Sequence, residues 1–187
     1  MAEDMWSVIH AERAALASDL ADLTPEQWAT QSLCDQWNVH QALAHMTTTA
    51  KLNPLGFIGR FVGSGFSFQK FAAKGIAAEG SGTPSQTLAA FRAVQDSSTS
   101  PPGPKATWLG ETLVHAEDIR RPLGISHDYP LPALTQAIDF YSNSNALIGG
   151  KDRIAGLTLK ANDTNWSCGD GPVVEGPAPP LRGAHGP

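Results

Sequence analysis

The sequence predicts a mainly α-helical fold: a bundle of about four long helices over residues 1–150, then a small β-containing unit over 151–187. Three observations carry this. Apolar residues recur at helical spacing along most of the first 150 residues. Two Thr-Pro pairs, Thr24-Pro25 and Thr83-Pro84, have the form of helix starts. After Gly149-Gly150 the pattern changes to short, partly alternating apolar runs between turn signals.

Asp4 to Leu23 carries Met5, Ile9, Leu16, Leu20 and Leu23 on a helical stripe that Glu12 and Arg13 interrupt. Thr24-Pro25 opens a short helix, and Ser32 to Gln36 reads as a loop. Asn38 suits the cap of a second long helix, with Val39, Ala42, Leu43 and Met46 inward, that stops before Pro54. Leu55 to Lys74 is apolar but holds Gly59, Gly63 and Gly65, so it reads as irregular helix. Gly80-Ser81-Gly82 breaks the chain, and Thr83-Pro84 starts a helix through Leu88, Phe91 and Val94. A polar loop from Ser97 to Pro104 precedes a helix from about Thr107 to Arg121, and another is expected from Leu131 to Leu147. Ile154 to Ala161 and Trp166 to Cys168 read as strands joined through Asn162-Asp163. The Pro/Gly-rich tail from Gly176 to Pro187 is expected to be poorly ordered.

Composition excludes several classes of function. The chain has 13 basic and 18 acidic residues, for a net charge of -5, and Arg120-Arg121 is its only basic doublet. A nucleic-acid backbone or an anionic membrane surface needs a concentrated positive face, so neither is expected as a partner. The N-terminus lacks the basic start and apolar run of a secretory signal. Cys34 and Cys168 form no CxxC pair. The expectation is a cytoplasmic protein with reduced thiols.

The chemistry is concentrated in Glu111-Thr112-Leu113-Val114-His115. On a helix, Glu111 and His115 share one face, a turn apart. One oxygen and one nitrogen donor suit zinc and several other divalent ions. The second long helix supplies a third ligand: His45 lies inside its apolar run, whereas His40 falls in its first turn. His45, Glu111 and His115 plus an open position make the pattern of a catalytic zinc rather than a structural one. The same spacing also fits an exposed helix pair, and a lone core histidine needs no metal. Asp118 suits either orientation of a ligand imidazole or a pair with Arg120 or Arg121. Cys34 reads as a small buried hydrophobe rather than a reactive thiol, and Trp37 and Trp108 as loop anchors or pocket walls.

Three stretches bear a family resemblance. The first is Ser32-Leu33-Cys34-Asp35-Gln36-Trp37-Asn38-Val39, running on to Ala44-His45. The second is Pro101-Pro102-Gly103-Pro104 followed by Leu109 through Gly124, and the third is Gly156-Leu157-Thr158-Leu159 through Gly169-Asp170-Gly171-Pro172 to Ala178. In this order they resemble the mycothiol-dependent maleylpyruvate isomerase family, within the DinB-like superfamily of metal-binding bundles. The resemblance implies a DinB-like four-helix bundle over 1–150 with a metal triad on His45, Glu111 and His115. It also implies mycothiol as the thiol cofactor beside a divalent metal, zinc foremost. The partners would be this small-molecule thiol and an electrophilic substrate, and the reaction a thiol transfer or a cis–trans isomerisation. It assigns no catalytic or thiol-contacting residue here. Family members continue past the Gly-Pro-Ala segment into a further helix, whereas this chain runs into Pro179-Pro180-Leu181-Arg182. Residues 151–187 therefore read as a β-hairpin extension or a truncated C-terminal domain, with no match to the family's C-terminal arginine. Two other readings stand beside the enzyme: a non-catalytic metal-binding bundle with a stress-linked or ligand-binding role, and a helical interaction domain whose His and Glu are structural.

Overall fold

The computed structural model describes residues 4–145 and 149–177. Nine α-helices and three strands follow one another among these residues. Helices α1 (Met5–Asp19), α3 (Val39–Lys51), α6 (Pro84–Arg92) and α7 (Lys105–Arg120) form the bundle. They share a core in which Leu16 and Leu20 meet Leu43, Met46, Phe91 and Ile119. Outside it, α5 (Phe68–Glu79) lies on α3, and α8 (Leu131–Ser142) on α7. The short helices are α2 (Pro25–Trp28), α4 (Pro54–Val62) and α9 (Gly150–Arg153).

The helix starts follow local chemistry. Asn38 accepts from the Gln41 amide (2.9 Å) while the Gln41 side chain accepts from the Asn38 amide (3.0 Å), a reciprocal cap that fixes the first turn of α3. Thr24 and Thr83 make the same box with Gln27 and Gln86, each with proline at the first helical position. Helix α7 begins two residues before the expected Thr107, because Pro104 already has extended backbone and needs no donor. It ends in a 3-10 turn, Arg121–Leu123, and Gly124 in the left-handed region (φ 69°).

The stretch expected as one irregular helix is two. Asn53 caps α4, and the chain turns at Gly65 (φ 65°) and Phe66 (φ 57°) before Ser67 caps α5. Helix α4 contributes no buried residue, and Leu55, Ile58 and Val62 on it are exposed. Helix α8 stops at Ser142 rather than at Leu147, which with its neighbours 146 and 148 lies outside the described residues. So does the tail 178–187.

Strands β1 (Thr158–Ala161), β2 (Ser167–Gly169) and β3 (Val173–Gly176) form a sheet of order β2-β1-β3. β1 pairs antiparallel with β2 as an ordinary hairpin, and parallel with β3. Sequence periodicity missed β3, a short exposed run. The chain crosses from β2 to β3 over the end of β1, where a Cβ at Gly171 would collide with the Gly156 carbonyl. Leu159, Ala161 and Trp166 join a second core with Ile9, Leu113 and Ile138. Trp166 also donates to Asp139 on α8 (2.6 Å).

Among the described residues no helix is long and apolar enough to cross a membrane.

Candidate metal centre

His45 sits in the second turn of α3, and Glu111 and His115 lie one turn apart on α7. The two helices pack together, so the three side chains converge. Their donor atoms lie within 4.8 Å of one another. His45 Nε2 is 3.8 Å from Glu111 Oε1, too far for a hydrogen bond. The His45 and His115 rings stand nearly perpendicular, with centroids 4.9 Å apart. His40 points elsewhere: its Nε2 is 2.8 Å from Thr87 Oγ1.

The loop before α3 completes the cluster. Leu33 donates its amide to the Asp118 carbonyl (3.0 Å), and Ser32 Oγ donates to the Trp37 carbonyl (2.6 Å). These bonds press the loop onto α7. Trp37 then lies over His45, centroids 4.7 Å apart, and restricts its ring. The Cys34 thiol donates to Asp118 Oδ2 (3.1 Å) and lies 3.7 Å from His115 Nδ1. Asp118 Oδ2 also meets His115 Nδ1 at 3.2 Å. With Nδ1 protonated toward Asp118, the lone pair of His115 is on Nε2, the tautomer a metal requires. Arg120 pairs with Asp19 and Arg121 with Glu117, while the Asp118 carboxylate meets the His115 imidazole and can orient it.

Electrostatics separates the two histidines. Burial, with His115 beside it, drives the His45 pKa down to about 3, so its nitrogen is a neutral donor at any ordinary pH. Burial also opposes charge on His115, but its contacts with Asp118 and Cys34 and the Glu111 carboxylate outweigh this and lift its pKa to about 10. Burial raises the Glu111 carboxyl, with His115 and Arg13 partly offsetting it. The Cys34 thiol is likewise pushed up, by burial first, against the pull of His115.

The donor set fits a divalent ion. Glu111 Oε1 is buried and makes no hydrogen bond among the described residues. An unpaired buried carboxylate oxygen is costly unless a cation satisfies it. Two tetrahedral donors each about 2 Å from one ion sit about 3.3 Å apart, and the Glu111–His45 separation of 3.8 Å is only a few tenths of an ångström wider. Cys34, His115 and Asp118 form a second close group on the other ring nitrogen, sharing His115.

A cavity of about 280 Å³ opens beside these residues. Its inner end holds Cys34, His45, Thr49, Glu111, His115 and Asp118. Its walls are Leu52, Phe57, Phe68, Phe71, Trp108 and Val114, closed by Tyr141 from α8. Tyr141 approaches this closely because residue 110 is glycine: a Cβ there would lie 2.8 Å from the Tyr141 hydroxyl.

The structure thus brings His45, Glu111 and His115 together and puts Asp118 behind His115. It gives Cys34 polar partners that the sequence reading withheld, and the only signal for this was its place just ahead of the capped α3. The phenylalanines from α4 and α5 were legible only as an apolar run.

Residues 9–100 match the family model described as the mycothiol maleylpyruvate isomerase N-terminal domain. His45 lies within the match, and Glu111 and His115 beyond it. Two solved structures share the fold. One, at TM-score 0.63 and 15% identity, is a crystal structure of the mycothiol-dependent maleylpyruvate isomerase. The other is a histidine-to-alanine variant of that enzyme, at TM-score 0.64 and 14% identity. Each alignment covers 96% of this chain and 86% of the other. No curated protein sequence matches the chain significantly.

Proposed function

We propose, from the premise that residues 9–100 belong to the mycothiol maleylpyruvate isomerase N-terminal domain family, that this chain is a metal-dependent thiol enzyme. His45, Glu111 and His115 hold one divalent ion, zinc first among the candidates. The thiol is a low-molecular-weight one, mycothiol by family, and it reacts with an electrophile by transfer or by addition and elimination across a double bond. The observation that carries this reading is the buried, unpartnered Glu111 Oε1 facing His45 Nε2.

A bound zinc ion supplies one thing, a lowered pKa for a coordinating thiol, so that a thiolate persists at neutral pH. The chain's residues do the rest. Trp37 and Asp118 fix the two imidazoles, Glu111 contributes negative charge, and the apolar walls keep water from the nucleophile. Three protein ligands leave a position open to an exogenous ligand, and the cavity at the ligands favours catalysis over a closed, purely structural metal module.

Metal analysis of the purified protein tests this reading. The expected result is one divalent ion per chain, lost in His115→Ala, with mycothiol consumption in the presence of an electrophile only in the loaded protein. Metal-free protein with unchanged behaviour in His115→Ala would sink the metal reading. Full metal content without thiol turnover would leave a non-catalytic bundle.

A further inference from the structure

We propose that the electrophile is an uncharged, apolar molecule, aromatic or alkyl, and not a dicarboxylate of the kind named for the proteins that share the fold. This deepens the thiol-enzyme reading and rests on it.

The cavity's lining carries the argument. Beyond the metal end its walls are Leu52, Phe57, Phe68, Phe71, Trp108 and Val114. Among the described residues that line it there is no lysine or arginine. The nearby described cations lie on other parts of the surface or in the core. Arg13 is buried and donates to the Ser97 carbonyl (3.0 Å). Arg60 and Lys74 line a separate cleft with Ser64, and Lys74 Nζ donates to the Gly63 carbonyl (2.6 Å). Lys70 lines a third depression beside Trp37.

Charge balance at the inner end points the same way. Glu111 and one thiolate would cancel the two positive charges of a divalent ion held there, and Asp118 places a further carboxylate behind His115. A dianion entering this cavity would lose its hydration with no lysine or arginine among the described lining residues to replace it, which is unfavourable. A neutral ring gains by burial against the phenylalanines, with edge and stacked contacts.

The test uses the zinc-loaded protein and two probes with the same ring, nitrobenzene and 3-nitrobenzenesulfonate, titrated by calorimetry. Nitrobenzene is expected to bind at least tenfold more tightly, with Phe71→Asp abolishing that preference and Val114→Lys shifting it toward the sulfonate. Metal content and circular dichroism confirm that each variant is folded. Equal or reversed binding of the probes by the unaltered protein would overturn the proposal. A second arm compares turnover of chlorodinitrobenzene and maleylpyruvate with mycothiol. Faster turnover of the neutral electrophile supports the proposal, and equal or faster turnover of maleylpyruvate overturns it. If neither is turned over while nitrobenzene retains its advantage, the thiol reading fails and the assignment of the cavity to a neutral ligand stands.

Discussion

At the level of single residues, the two histidines of the centre differ in what they do with a proton. Near neutrality His45 is already neutral, while His115, with a pKa near 10, carries a proton that a metal must displace. Metal binding at pH 7 should therefore release at least the His115 proton, and the apparent affinity should rise with pH up to about 10. Calorimetry in buffers of different ionisation enthalpy would measure both, and proton-neutral binding would contradict the assignment. The metal-free fold responds in the opposite sense. His115 is raised from 6.5, so its contribution is complete below that pH and fades as pH climbs through about 10. His45 is depressed from 6.5 to about 3, so stability falls as acid protonates the unfolded chain through that interval. Asp118→Asn removes the charge that orients His115, and metal affinity should drop about 10–100-fold with the three ligands intact. A competition titration with a metal chelator would show whether it does. Asp118 was legible in the sequence as a candidate for this task, because it lies three residues beyond His115. The Cys34 contact was not, since it depends on how a loop folds back onto a helix 81 residues away.

Helices were the most readable units where capping chemistry is strong. Thr24-Pro25, Asn38 and Thr83-Pro84 each start a helix where their side chains accept a backbone N–H. Periodicity was a poorer guide where burial overrides it. Glu12 and Arg13 interrupt the apolar stripe of α1, yet both are buried. Glu12 is satisfied by His127 (2.8 Å) and Arg13 by the Ser97 carbonyl (3.0 Å), partners remote in sequence. The contact between α7 and α8 depends on a missing side chain at Gly110. Gly110→Ala should cost about 1–3 kcal/mol by overpacking and push Tyr141 away from the cavity. A denaturant titration would report the first effect, and weakened nitrobenzene binding to the loaded variant the second.

For the molecule as a whole, sequence foresaw a bundle followed by a β unit, but not how the two join. The sheet uses its central strand and Trp166 to share a core with α1, α7 and α8. Trp166→Phe keeps most of the ring but removes the indole donor to the exposed Asp139, and should destabilise the protein by about 0.5–1.5 kcal/mol. Thermal unfolding that leaves the midpoint unchanged would show that the sheet is only loosely seated. The third strand escaped notice because its pairing is parallel and depends on a glycine crossing rather than on alternation. Helix α4 has the opposite relation to the whole. It supplies Phe57 to the cavity wall, yet none of its own residues is buried. Detaching it would uncover little new surface, so its amide protons should exchange with solvent well ahead of those of α3 and α7. Substitutions within residues 54–62 are therefore expected to change the cavity wall at Phe57 while leaving global stability nearly untouched, an outcome that denaturant titration beside nitrobenzene binding would report.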